Sequence, residues 1–341
     1  MRFEKMITAV DSHTEGMPTR VVTGGFSTIG GKTMFEKKQY VEAHLDHLRT
    51  LLMFEPRGHG SMSGAILVPP SIPSADLGVV FIEVSGCLPM CGHGTIGTCT
   101  VAIETGLVKV TEPITRISLD TPAGLVLAEA KVENGKAKSV RIQNVPSFLY
   151  RKDAEVNVEG LGKISLDIAF GGNFYAILPV EDVGLSVEKK NAQALIHAGM
   201  KIMKAVQQQI PLAHPLNPAI NEIKHTMFTG PPDVKGADAK NAVVLHPGTV
   251  DRSPCGTGTS ARMAQLFARG KLSLNQDFVH ESIIGSLFTG QIVKKEQLKG
   301  EMTAVVPTIE GRAWITGFQQ FVLDPEDPFP AGFLLNEDNV P

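Results

Sequence analysis

Pro89-Met90-Cys91-Gly92-His93-Gly94-Thr95-Ile96-Gly97 returns 164 positions later as Ser253-Pro254-Cys255-Gly256-Thr257-Gly258-Thr259-Ser260-Ala261. Both copies read Cys-Gly-x-Gly-Thr followed by small and apolar residues. Apolar segments precede them, Val79 to Val84 and Ala242 to Leu245, and helix-forming segments follow, Ile96 to Thr105 and Ser260 to Arg269. Each cysteine is therefore expected in a strand-to-helix turn, where unpaired backbone N–H groups and the helix dipole favour negative charge. That setting lowers a thiol's pKa. The same N–H groups suit a carboxylate, and the glycines let the backbone approach it closely. Two such halves offer a thiol and a thiolate on opposite sides of one molecule. Stereoinversion needs that pair: one group takes a proton from one face of a carbon while the other delivers a proton to the opposite face.

A chain of 341 residues exceeds one ordinary core and predicts two domains. Hydrophobic residues make up 43% and the net charge is −3, the profile of a soluble globular protein. Lys and Arg number 32 against 35 acidic residues, so no basic excess points to nucleic acid. Four cysteines in such a length do not form a disulfide framework, and Cys87 and Cys99 read as small buried residues. The opening Met1-Arg2-Phe3-Glu4-Lys5-Met6 lacks a signal-peptide core and no apolar run reaches a membrane span, so a cytoplasmic enzyme without a membrane partner is expected.

Along the chain, Lys5 to Asp11 reads as a strand entering a polar turn that ends at Gly16, and Thr33 to Leu52 as one helix with apolar residues near helical spacing. Arg116 to Leu119 and Leu125 to Val132 form a hairpin-like pair, and Asn134-Gly135 is a two-residue turn before Ser139 to Ile142. The second half repeats the plan. Strands are expected at Ile164 to Ala169, Phe174 to Leu178, Glu222 to Phe228, Ser282 to Val293 and Met302 to Ile309, with a helix from Ser186 to Gln208. A last strand begins at Trp314. The expected units are residues 1–138, carrying Cys91 and completed by residues 318–341, and residues 139–317, carrying Cys255. The simplest architecture sets the active site in the cleft between them.

Met90 to Gly97, Asp251 to Ala261 and Glu55-Pro56-Arg57-Gly58-His59 together resemble the proline racemase family, which includes 4-hydroxyproline 2-epimerases and trans-3-hydroxyproline dehydratases. The resemblance extends over Asp120 to Gly124, Gly171 to Phe174 and Glu281 to Ile283, and so over essentially the whole chain. It implies an α/β (α+β), diaminopimelate-epimerase-like fold of two similar domains, each with a β-sheet wrapped around a central helix. It also implies a homodimer and chemistry without cofactor or metal. Cys91 and Cys255 would be the two bases. Backbone N–H groups of Gly92, His93, Gly256 and Thr257 would hold the carboxylate, with His93 and Asp251 at the ring nitrogen of a proline-type imino acid.

The dehydratases resemble this pattern but replace the second cysteine, usually with Thr, so Cys255 favours racemisation or epimerisation. Proline racemases tend to carry an aromatic pair over the ring, at positions that here are Ser63 and Leu245 or His246. A smaller, more polar wall suits a ring bearing a hydroxyl, because a buried hydroxyl needs a hydrogen-bond partner. The expected activity is therefore 4-hydroxyproline 2-epimerase, with proline racemase as the alternative. Two other classes fit the sequence less well. Cys87, Cys91, His93 and Cys99 lie within thirteen residues, but their irregular spacing is unlike a zinc site and leaves the Cys255 turn unexplained. Gly256 to Ser260 lacks both the Lys of a phosphate loop and the glycine order of a dinucleotide fingerprint.

Overall fold

The computed structural model describes residues 3–298 and 302–335. The chain splits into two compact units, Met1–Ile142 with Gly311–Pro341 and Gln143–Glu310. These divisions fall later and earlier than the 138 and 317 expected, because the strand after Asn134-Gly135 runs on to Gln143 and the last strand starts at Ala313. Among the described residues, no helix is long and apolar enough to cross a membrane. All four cysteines are free and buried.

The first unit opens with β1 (Lys5–Thr14), β2 (Met17–Gly24), α1 (Met34–His44), α2 (Asp46–Met53), β3 (Ser63–Val68), β4 (Leu77–Glu83) and β5 (Gly86–Leu88). It continues with α3 (Gly92–Glu104), β6 (Ile114–Thr121), β7 (Gly124–Glu133) and β8 (Lys136–Gln143). The expected polar turn after Asp11 is strand instead, since His13 and Thr14 pair with Pro18 and Met17 across the β1–β2 hairpin. The single helix expected from Thr33 is two helices. Thr33 caps α1 by accepting the Glu36 N–H at 3.1 Å. The break comes at Leu45, after which Asp46 grips the Arg49 guanidinium and Arg49 in turn donates to the Glu83 carbonyl at 2.6 Å. That tie fixes α2 to the end of β4. In β7, Val126, Ala128, Ala130 and Val132 are buried while the residues between them face out, the period of two that a half-covered sheet requires. Asn134 and Gly135 carry φ of 55° and 72°, which matches the expected two-residue turn.

The second unit holds β9 (Phe148–Val158), β10 (Gly162–Phe170), β11 (Phe174–Pro179), α4 (Ala192–Gln209), β12 (Ile223–Gly230), β13 (Ala239–Leu245) and β14 (Thr249–Val250). After these come α5 (Gly256–Ala268), β15 (Asp277–Glu281), β16 (Leu287–Gln297) and β17 (Thr303–Gly311). The helix expected from Ser186 starts only at Ala192, after a 3-10 turn at Lys189–Asn191. The strand expected from Ser282 is interrupted, because Ser282 and Ser286 close a turn through their hydroxyls at 2.8 Å and strand pairing resumes at Leu287. β9 escaped the sequence reading. Finally β18 (Ala313–Leu323) lies in the first unit, antiparallel to β1 from Thr14↔Ala313 to Lys5↔Leu323.

The repeat in the sequence is a repeat in the pairing. β1–β2 is antiparallel, β2–β3 parallel, β3–β4 antiparallel, β4–β5 a hairpin, β4–β6 parallel and β6–β7 antiparallel. In the second unit β10–β11, β11–β12, β12–β13, β13–β14, β13–β15 and β15–β16 follow the same order of senses. In each unit the short hairpin strand delivers the chain to a cysteine and a central helix. Strands β1, β2, β3, β7 and β18 pack around α3, and β9, β10, β11 and β16 around α5. Both helices are buried almost from end to end, which explains their small, unpolarised sequences. A side chain at Gly97 would sit 2.9 Å from Thr19, so glycine there sets how closely α3 approaches β2.

Candidate active site

Cys91 is the N-cap residue of α3, and Cys255 that of α5. The first intrahelical bonds run from the Thr95 and Thr259 N–H groups to the cysteine carbonyls, at 2.9 and 2.7 Å. Gly92 and His93, and Gly256 and Thr257, therefore present their N–H groups ahead of the helical ladder, at the positive end of the helix dipole. Every one of these residues is buried. The glycines three residues after each cysteine are tightly fitted: a Cβ at Gly94 would lie 3.0 Å from the Cys91 sulfur, and one at Gly258 would lie 3.0 Å from the Cys255 sulfur.

Around Cys91 the structure collects an imidazole, a hydroxyl and a carboxylate. Strand register sets Ser63, the first residue of β3, directly opposite Glu83, the last of β4. The His93 ring lies 3.5 Å from the Cys91 sulfur through Nδ1 and 3.1 Å from the Ser63 hydroxyl through Nε2. The Cys91 thiol reaches Glu83 Oε1 at 3.9 Å, and the Thr14 hydroxyl donates to the His93 carbonyl at 2.9 Å to hold the turn. A thiol flanked by imidazole and carboxylate has a route for its proton that an isolated buried thiol lacks. Glu83 was read only as part of a strand; its role depends on pairing with Ser63, which no local motif signals. Ligand atoms of Glu83, Cys91 and His93 lie within 4.8 Å of one another, so among the described residues these three form a group that could receive a metal ion. Cys87 and Cys99 do not join them. Cys87 packs in the apolar core beneath α1 and α2, Cys99 is wholly buried in α3, and burial pushes both thiols up to about 12.

Around Cys255 the partners are hydroxyls. Tyr175 on β11 places its hydroxyl 3.2 Å from the Cys255 sulfur and 2.5 Å from Thr257 Oγ1, and Asn173 donates to the same Thr257 oxygen at 3.4 Å. The Tyr175 ring stacks on His225 at 4.7 Å. Asp251 builds the turn, accepting the Ser253 N–H at 2.8 Å and its hydroxyl at 2.9 Å, while Ser253 accepts the Cys255 N–H at 3.1 Å. From the far side His280 bonds Thr259 at 2.9 Å, and Asn241 donates to the Pro254 carbonyl at 2.8 Å. The brace is needed because Cys255 has φ 64° and ψ 105°, a conformation costly for any side-chain-bearing residue, whereas Cys91 is extended at φ −139°.

The expectation of a lowered thiol pKa fails for Cys255 in this state. Burial pushes the thiol far above its ordinary value and the Asp251 carboxylate adds to that, against the opposing Tyr175 hydroxyl, Gly258 N–H and Thr257 hydroxyl. Cys255 thus carries its proton at neutral pH. Burial likewise keeps the Tyr175 phenol protonated, and holds the His225 imidazole neutral at about 3. Of the two wall positions read from sequence, Ser63 is fully buried beside His93. His246 is exposed just past β13 and touches the cluster electrostatically, through His225. Tyr175 and His225 were missed; an aromatic on an apolar strand looks like core until the fold brings it to a sulfur.

The chain matches the family model described as proline racemase over residues 9–334. It is 57% identical to a 4-hydroxyproline 2-epimerase of Streptosporangium roseum, over 98% of this chain and 100% of that protein. It is 46% identical to a proline racemase of Clostridioides difficile, over 98% and 100%. A crystal structure of a hydroxyproline epimerase from Agrobacterium vitis with bound trans-4-hydroxy-L-proline superposes with a TM-score of 0.93 at 37% identity, covering 99% of this chain and 98% of that one. The architecture is the diaminopimelate-epimerase-like fold, in which each unit wraps its strands around a cysteine-capped helix. Sequence repeat, matched pairing order and end-to-end similarity converge on one assignment: the chain belongs to the proline racemase family.

Proposed function

We propose that the protein is a cofactor-independent 4-hydroxyproline 2-epimerase that inverts Cα of trans-4-hydroxy-L-proline to give cis-4-hydroxy-D-proline. The observation that carries the substrate is the 57% identity to a 4-hydroxyproline 2-epimerase, against 46% to proline racemases, over equal shares of the chain. The fully buried Ser63 hydroxyl beside His93 agrees with it, since it supplies a polar group where a ring hydroxyl needs one.

In the proposed reaction the substrate carboxylate is held by the first-turn N–H groups of α3 and α5, those of Gly92, His93, Gly256 and Thr257. The cationic ring nitrogen is held near His93 and Asp251. One thiolate removes the Cα proton while the opposite thiol gives its own proton to the other face. The C–H electron pair passes to Cα and the adjoining carboxylate, and the helix N-termini stabilise that charge in a site poor in water. When Cys255 is the acid it begins as the thiol that its surroundings favour and ends as thiolate; Cys91 begins as thiolate and ends as thiol. The reverse reaction exchanges these roles. A cation on Glu83, Cys91 and His93 would occupy a sulfur that this reaction needs free, so added zinc should inhibit. A cytoplasmic location and a homodimer complete the reading, the first from sequence character and the second from the family.

The test is replacement of each thiol. Cys91→Ser and Cys255→Ser should each lose epimerisation by at least about a thousandfold while remaining folded, as removal of an essential acid–base group does. Full activity in either variant would remove the two-thiol mechanism.

A further inference from the structure

The two half-sites share a backbone but not their side chains. Cys91 is served by an imidazole and a carboxylate, Cys255 by a phenol and an aliphatic hydroxyl. We propose that Tyr175 is a third catalytic residue, whose hydroxyl hydrogen-bonds the Cys255 sulfur as thiol and as thiolate and so makes Cys255 an effective proton donor. The proposal rests on the two-thiol reading above.

The geometry is specific. The phenol oxygen is 3.2 Å from the sulfur and 2.5 Å from Thr257 Oγ1, in surroundings where Tyr175 is wholly buried. A hydroxyl has one proton to give and can accept in return. With Thr257 donating to the phenol oxygen, the Tyr175 O–H is committed to the sulfur. In the thiol state this leaves the S–H bond directed away from the phenol. When Cys255 gives that proton to Cα, the S–H bond breaks, the new C–H bond forms, and the electron pair stays on sulfur as thiolate. The Tyr175 O–H then donates to a full negative charge, a bond about twice as strong as a neutral one. No proton leaves the phenol; burial and the neighbouring sulfur keep it protonated throughout. The neutral His225 ring stacked on Tyr175 holds the hydroxyl in place without adding charge beside the sulfur.

Tyr175→Phe keeps the ring and its stacking and deletes only the oxygen. It should lower kcat about 10- to 100-fold in both directions, the range of one hydrogen bond to a charged group, with KM within about threefold. The informative readout is the pH profile. In both directions the alkaline limb of kcat/KM, set by loss of the Cys255 proton, should move up by about one pH unit or more, because the thiolate has lost its donor. The acid limb, set by Cys91, should stay in place in both directions. A purely structural role would lower kcat without moving a limb.

Cys255→Ala run in the same assay separates the two ideas. If it still epimerises, the two-thiol reading fails. If it is inactive while Tyr175→Phe keeps kcat within twofold and unmoved limbs, the role of Tyr175 alone is overturned. A second measurement needs no active variant. The chain has three tyrosines, so 3-fluorotyrosine labelling gives three fluorine signals, assigned by Tyr40→Phe and Tyr150→Phe. The remaining Tyr175 signal should shift on Cys255→Ala, and an unchanged signal would show that the phenol does not bond the sulfur.

Discussion

Gly171 is the residue whose replacement most directly tests how the Cys255 turn is held. It lies in the turn between β10 and β11, pressed against the first turn of α5. An alanine Cβ there would stand 2.1 Å from the Thr257 carbonyl oxygen, 2.5 Å from the Ala261 nitrogen and 3.0 Å from Ser260 Cβ. Relief requires one side to withdraw by about 1 Å, since overlap of this size has no tolerated geometry. The contact is not loose, because Asn144 Nδ2 donates both to the Gly171 carbonyl and to Ser260 Oγ, each at 2.8 Å. Overpacking costs about 1–3 kcal/mol, and weakening that clamp adds about 1 kcal/mol, so Gly171→Ala should lose about 2–4 kcal/mol in urea unfolding. A displacement of about 1 Å at a reacting group costs roughly a hundredfold in rate. Gly230→Ala is the control, where the nearest side-chain atoms lie at 3.4, 3.6 and 3.9 Å and stability should stay within about 1 kcal/mol. Wild-type stability and rate in Gly171→Ala would refute the claim that this close approach fixes the Cys255 turn.

Asp167 accepts Arg269 at 2.7 Å on each carboxylate oxygen, together with Gln265 and the Asp153 N–H. Asp167→Asn should cost about 2–3 kcal/mol, discounted from a fully buried pair because Arg269 is partly exposed. Burial pushes the Asp167 carboxyl up, but those hydrogen bonds outweigh it and hold it below the ordinary value. The stability it gives is therefore present above the unfolded carboxyl's pKa and lost as pH falls below about 4. His225 and His280 act higher on the scale. Burial holds both near 3, against about 6.5 unfolded, so the stability linked to their neutral state is intact above pH 6.5 and declines as pH falls toward 3. Each contributes a slope of about 1.4 kcal/mol per pH unit, and His280→Gln should roughly halve the combined slope measured by urea unfolding between pH 6 and 4.5.

Much of the fold was readable because it is written twice. The Cys-Gly-x-Gly-Thr frame with an apolar strand before it and small residues after it predicted both central helices, and the Asn134-Gly135 turn fixed the β7–β8 connection. What stayed hidden depends on pairing between distant segments. The break at Leu45 follows from Arg49 reaching the end of β4, a constraint that helical periodicity does not contain. Glu83 and Tyr175 come to the two sulfurs through strand register and strand-to-helix packing, and neither carries a local signature. The helix N-terminus correctly placed both thiols, but its influence on Cys255 is outweighed by burial, which depends on how much of the chain closes over the turn.

The central claim is inversion of a hydroxylated imino acid between two thiols. It is tested most directly by proton NMR in D2O, with trans-4-hydroxy-L-proline and L-proline incubated in parallel with the reduced enzyme. The account predicts faster turnover of the hydroxylated substrate. In early turnovers solvent deuterium should appear at Cα of the inverted product and not in recovered substrate, because the group that removes the proton is not the group that replaces it. Deuterium entering recovered substrate as fast as product would contradict the two-thiol mechanism, and preference for L-proline would contradict the substrate assignment.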